Sequence, residues 1–226
     1  MKTLVIVGAG PEVGQSLARK FGKNGFQIAL IARNQSKLDQ LVLELEQEKI
    51  SATSFVADLY NKEQLEGVFT AIKERYDSID VVEFSPTVGN YPPTPAWQVI
   101  EENALDIFNG YMISAIRTVQ SVLPDMIERS EGALLFTTGL SALYPMQMMG
   151  NIGITMAGLR NYLLNLHTDL APKGIYVGHL SLGVFIKKGT QTDPDYIADA
   201  WFDMYTKGDK AEETFPVGVT PETIVW

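Results

Sequence analysis

Cysteine is absent from the 226 residues, and histidine occurs only twice, at His167 and His179. Disulfides, thiol catalysis and thiolate metal sites are therefore excluded, and we expect no other metal site. Basic residues are also scarce, since 18 Lys and Arg against 27 Asp and Glu give a formal net charge of -9. Such a chain repels phosphate backbones, so nucleic acid is not an expected partner.

Long apolar runs are missing as well. The N-terminal residues 1–8 contain one lysine and an apolar stretch that ends at Gly8 after four residues. This stretch is too short for the core of a signal peptide or for a membrane span. We therefore expect a cytoplasmic protein with no membrane partner.

The composition is that of an ordinary globular protein, with 46% apolar, 20% charged and 10% aromatic residues. A chain of 226 residues is long enough for one α/β domain with a substantial core and too short for two. We expect this single domain to cover residues 1–206. The remainder, 207–226, is a charged C-terminal tail that is mobile or adds a strand at most.

Strand-like and helix-like segments alternate along the chain. Short apolar runs rich in β-branched residues lie at 3–7, 27–32, 52–56, 79–84, 133–137 and 175–180. Helical spacing is found at 14–24, 36–48, 62–76, 103–129 and 152–171, and a last helix is predicted from Asp193 to about 206. Right-handed crossovers between such strands give a Rossmann-type, doubly wound parallel sheet. The predicted fold is a single three-layer αβα domain.

A glycine-rich turn follows the first strand directly and opens the next helix. In this position, backbone amides and the positive end of the helix receive the pyrophosphate of a dinucleotide. Glu12 is the discordant member: its carboxylate either crowds the turn and repels phosphate or points harmlessly to solvent. The candidate cofactor-binding residues of the turn are Gly8, Gly10, Glu12, Val13 and Gly14.

The chain resembles the short-chain dehydrogenase/reductase family from residue 2 to about 206. The order of strands and helices, LPDM at 123–126 and LAPKGI at 170–175 carry the resemblance. Against the family's Thr-Gly-x-x-x-Gly-x-Gly turn, Gly8 and Gly14 match the outer glycines, whereas Glu12 replaces the middle one. The resemblance implies NAD(P) binding and reduction of a carbonyl group by hydride transfer.

Two further positions bear on the cofactor. Arg33 ends the second strand, where members that prefer NADP often carry an arginine facing the 2′-phosphate. Asp58, followed by Leu59, matches the family aspartate that hydrogen-bonds the adenine. We therefore expect NADP rather than NAD. The structural alternatives are a solvated Arg33 and an Asp58 that caps the next segment.

The family's catalytic groups are a tyrosine that donates the proton, a lysine that lowers the tyrosine's pKa, a serine and an asparagine. The Tyr-x-x-x-Lys pair falls on Asn151 and Thr155, which offer neither an acidic proton nor a charge. Thr138 matches the serine and keeps the hydroxyl, and Tyr111 matches the asparagine unless the alignment slips to Asn109. Because losing a general acid costs about 100-fold to 10,000-fold, ordinary hydride transfer is predicted to be absent or very slow.

Tyr111, Glu83, Tyr144 and His179 are further candidates at strand ends facing the cleft. For each, the sequence favours a structural role: a packed aromatic, an ion-pair partner, a turn residue and a hydrogen-bonded strand residue, in that order. His167 is likewise interpreted as structural. The methionines that follow Tyr144 are candidates for lining a flexible apolar pocket.

The helix at 103–129 carries apolar side chains well beyond a single stripe. Either this helix is wholly buried or a second subunit covers it. Because excess exposed apolar surface usually marks an interface, we expect a homodimer or homotetramer.

Three functions fit these observations. The first is an NAD(P)-binding family member without ordinary oxidoreductase activity. The second is an active NADPH-dependent carbonyl reductase whose proton comes from an atypical donor, such as Tyr111 or Tyr144, or from water. The third is an interaction or scaffold protein without any cofactor, for which Glu12 is the main indication. The sequence leaves open whether the chain is an enzyme and which small carbonyl compound it takes.

Overall fold

The computed structural model describes residues 1–87 and 89–224. Within these ranges, seven strands form one sheet in the order β3-β2-β1-β4-β5-β6-β7, and every neighbouring pair is parallel. Six strands match the predicted runs, and the seventh is the added strand that the tail allows. They are β1 (Lys2–Val7), β2 (Phe26–Ala32), β3 (Ala52–Val56), β4 (Val81–Phe84), β5 (Gly132–Gly139), β6 (Ile175–Leu182) and β7 (Glu212–Phe215).

Helices connect the strands. Three of them begin at a side chain that accepts a hydrogen bond from the first turn, at Asn34, Asn61 and Asp193. The long helix predicted at 103–129 is interrupted by a π-helical turn, Phe108–Ile113. The helices are α1 (Val13–Lys23), α2 (Gln35–Gln47), α3 (Lys62–Tyr76), α4 (Glu101–Ile107), α5 (Ser114–Arg129), α6 (Gly150–Leu170) and α7 (Pro194–Lys207).

Apolar residues cover both faces of the sheet. On β1, Val5 and Val7 belong to the core that includes residues of α3, α5 and α6, whereas Leu4 and Ile6 belong to the core with α1, α2 and α7. Alternate residues of a strand point to opposite faces, so a strand between two helical layers is apolar throughout. The predicted three-layer, doubly wound fold is confirmed.

The strand order reverses next to β1, which lies between β2 and β4. In open α/β sheets, ligands bind at such a switch point, in the crevice beyond the carboxyl ends of the strands. The turn after β1 and the segment after β4 therefore meet where a ligand is expected.

Most of the apolar surface of the long helical segment is buried in the domain's own core, as for Met112, Val119 and Met126. Leu105, Phe108 and Ile127 stay exposed, by 49%, 38% and 40%. The expected homo-oligomer remains a prediction, and these residues are the ones a second subunit could cover. No helix within 1–87 or 89–224 has the length and apolar character required to cross a membrane.

Candidate active site

Two cavities open at the carboxyl ends of the strands, one on each side of the turn after β1. The smaller one, about 350 Å³, lies beside the ends of β2 and β3, and the larger one, about 450 Å³, lies over the ends of β4, β5 and β6. They adjoin and form one elongated two-part cleft across the switch point. The residues that line both are Gly8, Gly10, Pro11, Pro86 and Thr87.

The glycines of the turn have different physical roles. Gly8 has a φ of +91°, and a Cβ there would lie 2.3 Å from Pro86 Cα. A Cβ on Gly14 would lie 3.0 Å from Ala9 Cα, which allows α1 to pack closely on the turn. At Gly10, the nearest atom to an added Cβ is the Gly8 carbonyl oxygen at 4.0 Å. Gly8 and Gly14 thus build the turn, and Gly10 leaves room in the cleft.

Glu12 is the residue immediately before α1, and its side chain is exposed. It also lines the larger cavity. Glu12 thus has a feature of each alternative: its side chain is exposed to solvent, and it borders the cavity beside the turn. Val13 and Gly14 also line the larger cavity, so the N-terminal turn of α1 faces it.

The smaller cavity is lined by the residues predicted to bind the adenosine half of the cofactor. Arg33, Asp58 and Leu59 all line it, and Lys37 adds a second positive charge that the sequence analysis missed. Asp58 Oδ1 accepts a hydrogen bond from the backbone N–H of Tyr60 at 3.1 Å. Asp58 thus caps the short turn that leads to α3, as its structural alternative expects, while the N-cap of α3 itself is Asn61.

The four predicted tetrad positions are divided between two places. Thr138 and Tyr111 line the larger cavity. Asn109 is exposed and is not among the described residues that line it, which supports alignment of the family asparagine with Tyr111. Asn151 and Thr155 are buried and are likewise not among the described lining residues. Two of the four positions therefore border the cavity, and the other two are buried outside its described lining.

Asn151 holds a loop in place. Its Oδ1 accepts a hydrogen bond from Thr94 N at 2.9 Å, and its Nδ2 donates to the Pro92 carbonyl oxygen at 3.0 Å. The Gly150 N–H donates to the Thr94 carbonyl oxygen at 2.7 Å. The position at which the family carries its proton donor thus fastens the loop after β4 to the start of α6.

Substitution Asn151→Ala is expected to lower the free energy of unfolding by about 2 kcal/mol, because the loop loses both hydrogen bonds to this completely buried side chain. Urea unfolding followed by circular dichroism measures the change. Asn165→Ala is the matched control, since Asn165 is exposed on the same helix and its amide donates to Asn161. Equal losses for the two variants would show that Asn151 does not clamp the loop.

Glu83 lies on β4 and is completely buried, next to Ser85 and Thr137, which line the larger cavity. Its carboxylate oxygens accept hydrogen bonds from Thr137 Oγ1 at 2.7 Å and Ser85 Oγ at 2.8 Å. Trp201 Nε1 in turn donates to Thr137 Oγ1 at 2.8 Å. Burial raises the pKa of Glu83 to about 7, against the opposing effect of its two hydroxyl donors. The interpretation of Glu83 as an ion-pair partner is wrong, since its recorded partners are hydroxyls.

His179 is hydrogen-bonded on both ring nitrogens and fully buried. Nε2 lies 2.7 Å from Thr138 Oγ1, and Nδ1 lies 2.8 Å from Glu212 Oε1. Glu212 is also held by the Arg160 guanidinium through Nε and Nη2. Burial works to raise the pKa of Glu212, but hydrogen bonds from His179 and Arg160 outweigh it and lower that pKa to about 2. His179 is the hydrogen-bonded strand residue that the sequence predicted, whereas the roles of Glu212 and Arg160 are visible only in the structure.

The contacts of the remaining candidates, His167 and Tyr144, are those of structural residues. His167 Nδ1 lies 2.7 Å from the Val177 carbonyl oxygen, as its structural interpretation requires. Tyr144 lies in the turn after β5, and its backbone N–H donates to the Leu140 carbonyl oxygen. Of the methionines after it, Met146 and Met149 line the larger cavity.

The fold and the cleft at its switch point are those of the nucleotide-binding α/β class. A family model described as short chain dehydrogenase matches residues 2–194. The chain belongs to this family, which confirms the resemblance found in the sequence.

The chain is similar to the very-long-chain 3-oxoacyl-CoA reductase of Anas platyrhynchos, with 26% identity over 178 residues, which cover 76% of this chain and 56% of that protein. It is also similar to the human inactive hydroxysteroid dehydrogenase-like protein 1, with 28% identity over 179 residues, which cover 78% of this chain and 53% of that protein. The chain thus spans about half the length of the curated relatives it matches.

Solved structures share the fold. A variant of actinorhodin polyketide ketoreductase with NADPH superposes with a TM-score of 0.84 at 18% identity, covering 93% of this chain and 94% of the other. A metagenomic short-chain oxidoreductase in complex with NADP gives 0.82 at 20% identity and covers 94% of both chains. At these identities the likeness establishes the architecture.

Proposed function

We propose that this chain is an NADP(H)-dependent oxidoreductase that reduces a small carbonyl compound without the family's Tyr–Lys pair. The observation that carries the proposal is the two-part cleft, in which the glycine turn separates a cationic cavity from one bordered by the Thr138 hydroxyl. Such a cleft matches the two halves of a dinucleotide joined by a pyrophosphate.

The described residues fit the cofactor. Gly10 leaves open space where a side chain would enter the cleft, and the first turn of α1 faces the same space. The N-terminus of a helix favours phosphate because its amides and its dipole point at the ligand. When bound, the cofactor supplies a hydride, so the protein needs only to place a carbonyl group and provide a proton.

Arg33 and Lys37 support NADP(H) over NAD(H). Both are exposed, and both line the smaller cavity. A cation directly after β2 and a second one in the first turn of α2 suit the 2′-phosphate of an NADP ribose, because an arginine fork binds phosphate with paired hydrogen bonds.

Met146, Met149 and Leu182 give the larger cavity an apolar wall near the Thr138 hydroxyl. An apolar pocket with a few placed polar groups suits a small organic substrate. One relative is named for reducing 3-oxoacyl-CoA and a structural neighbour is a polyketide ketoreductase, which supports a carbonyl substrate for this chain too.

Substitution Arg33→Ala is expected to weaken NADPH binding by about 10-fold to 100-fold, since a hydrogen bond to a charged group contributes about 1.5–3 kcal/mol. NADH binding should change less than threefold by the same reasoning, because NADH has no 2′-phosphate. Isothermal titration calorimetry with both cofactors gives the two ratios.

The matched control is Arg75→Ala, which removes an exposed arginine on α3 that does not border the cleft among the described residues. The control should leave both affinities unchanged. If Arg33→Ala weakens NADPH and NADH equally, the assignment of Arg33 to the 2′-phosphate is wrong.

A second candidate function is nucleotide binding without catalysis. It is favoured by the use of Asn151 as a loop clamp and by the similarity to a relative named as inactive. A protein that binds NADPH but never oxidises it in the presence of carbonyl compounds would have this second function.

A further inference from the structure

A hydrogen-bonded network connects the larger cavity to the interior. Thr138 is the penultimate residue of β5 and lines the cavity, and behind it lie His179 on β6 and Glu212 on β7. The Oγ1–Nε2 distance of 2.7 Å and the Nδ1–Oε1 distance of 2.8 Å make a continuous hydroxyl–imidazole–carboxylate series. The same ordered set activates a hydroxyl in unrelated enzymes, where it is recognised by geometry and not by position in the chain.

The position of Thr138 is what gives this network access to a ligand. Thr138 is 6% exposed, whereas His179 and Ser181 are completely buried. The neighbouring Thr137 points to the opposite face of the sheet, where it hydrogen-bonds Glu83 and Trp201. The His179 network and the Glu83 network are therefore separate, and within the first one Thr138 borders the cavity.

The protonation of the network follows from its charges. A low pKa keeps Glu212 ionised, so its carboxylate accepts the hydrogen bond from Nδ1–H of His179. Nε2 then either accepts the Thr138 hydroxyl proton or, in the imidazolium form, donates to Thr138 Oγ1. Within the described residues, Glu212 is the charged side chain that contacts His179, and Arg160 forms an ion pair with Glu212.

Thr138 has a hydrogen-bond partner whether Nε2 of His179 accepts or donates. Its Oγ1 lies 2.9 Å from Ser181 Oγ, and either hydroxyl can be the donor. When Nε2 donates to Thr138, the Thr138 proton can point to a ligand oxygen in the cavity. When Nε2 accepts, Thr138 can receive a proton from the cavity side. The hydroxyl thus passes a proton in either direction without moving.

We propose that Thr138, His179 and Glu212 form the proton relay for carbonyl reduction, with Thr138 as the catalytic residue and His179 and Glu212 as the residues that load and position it. This inference rests on the proposed function, with NADPH as the hydride donor. It assigns the proton to none of the donors considered from the sequence, Tyr111, Tyr144 or water.

The step balances as follows. As the carbonyl carbon accepts the hydride, the π-electron pair of the C=O bond moves to oxygen, which takes the Thr138 hydroxyl proton. Thr138 Oγ1 takes the Nε2 proton, and His179 becomes neutral while Nδ1–H stays bound to Glu212. After the alcohol leaves, water in the cavity returns one proton to His179 through Thr138.

The activity test compares Thr138→Val, which keeps the shape but removes the hydroxyl, with Thr138→Ser, which keeps the hydroxyl. NADPH oxidation is followed with acetoacetyl-CoA, hexanal and diacetyl as probes. We expect Thr138→Val to lower kcat by about 100-fold to 10,000-fold, the range for a lost general acid. Thr138→Ser should stay within about 10-fold of wild type, and NADPH affinity should be unchanged in both variants.

A readout independent of turnover is nuclear magnetic resonance of the NADPH-bound protein labelled at histidine. The chain has two histidines, so His167→Gln assigns the His179 signals. We expect the Nε2 signal of His179 to shift in Thr138→Val, because that variant removes the hydroxyl that Nε2 contacts. Glu212→Gln should shift the Nδ1–H signal and lower kcat, because the charged acceptor of that hydrogen bond is lost.

The outcomes separate the two proposals. If wild type binds NADPH but oxidises it with none of the three probes, the proposed reaction is overturned and the relay with it. If wild type oxidises NADPH and Thr138→Val does so at the same rate, the relay alone is overturned. Ring-nitrogen signals of His179 that are the same in wild type, Thr138→Val and Glu212→Gln also overturn the relay, because neither side chain then acts on the imidazole.

Discussion

Replacing Gly8 with alanine is expected to lower the free energy of unfolding by about 4 kcal/mol and to abolish NADPH binding, since two separate costs act at one position. A φ of +91° is unfavourable for any residue with a Cβ. In addition, the new Cβ would lie 2.3 Å from Pro86 Cα, a backbone atom that cannot move away as a flexible side chain can. Relief of this contact displaces the turn from the segment after β4.

Gly25→Ala is the matched control for this prediction. Gly25 has nearly the same φ, +88°, and an added Cβ there meets no described atom within 4 Å. Its alanine variant should lose only about 1–2 kcal/mol, the cost of the backbone conformation. Chemical denaturation of both variants measures the difference. Equal losses would mean that close contact between the turn and Pro86 is not what requires glycine at position 8.

Substitution Glu83→Gln is expected to flatten the dependence of stability on pH between about 4.5 and 7. An unfolded chain ionises this carboxyl near 4.5, whereas burial keeps it protonated in the folded protein up to about 7. Stability from this group is therefore fully present below pH 4.5 and is lost as the pH rises to 7, by about 3 kcal/mol in all. At pH 8 the variant should be more stable than wild type, and at pH 4.5 the two should be nearly equal.

Urea unfolding at pH 4.5, 6 and 8 gives the three comparisons. Glu74→Gln, at an exposed position on α3, serves as the control and should leave the pH dependence as it is. A wild-type stability that rises between pH 4.5 and 7, with no difference in Glu83→Gln, would show that Glu83 is ionised in the folded protein.

The fold could be predicted because its determinants are local. The six predicted strands are short apolar runs. A strand that is covered on both faces of the sheet is apolar on both, so it appears in the sequence as an unbroken apolar run. The glycine turn and the Asp193 cap are also short-range patterns. These features depend on residues a few positions apart, so the sequence alone contains them.

The chemistry at the larger cavity depends on distant contacts. Asn151 and Thr94 meet across 57 positions, and His179 meets Glu212 across 33. β7 is a four-residue strand with two glutamates and no apolar run, so the sequence pattern could not predict its pairing with β6. Without a predicted β7, Glu212 could not be placed beside His179. His179 could then only be interpreted as a hydrogen-bonded strand residue.

The central claim is that the cleft beside the glycine turn binds NADP(H), and calorimetric titration of the wild-type protein with NADPH and then NADH tests it most directly. We predict saturable 1:1 binding of NADPH, with NADH bound more weakly because it lacks the 2′-phosphate that we propose Arg33 and Lys37 bind. Heat of dilution alone with both cofactors would contradict the claim and leave the family fold without its nucleotide.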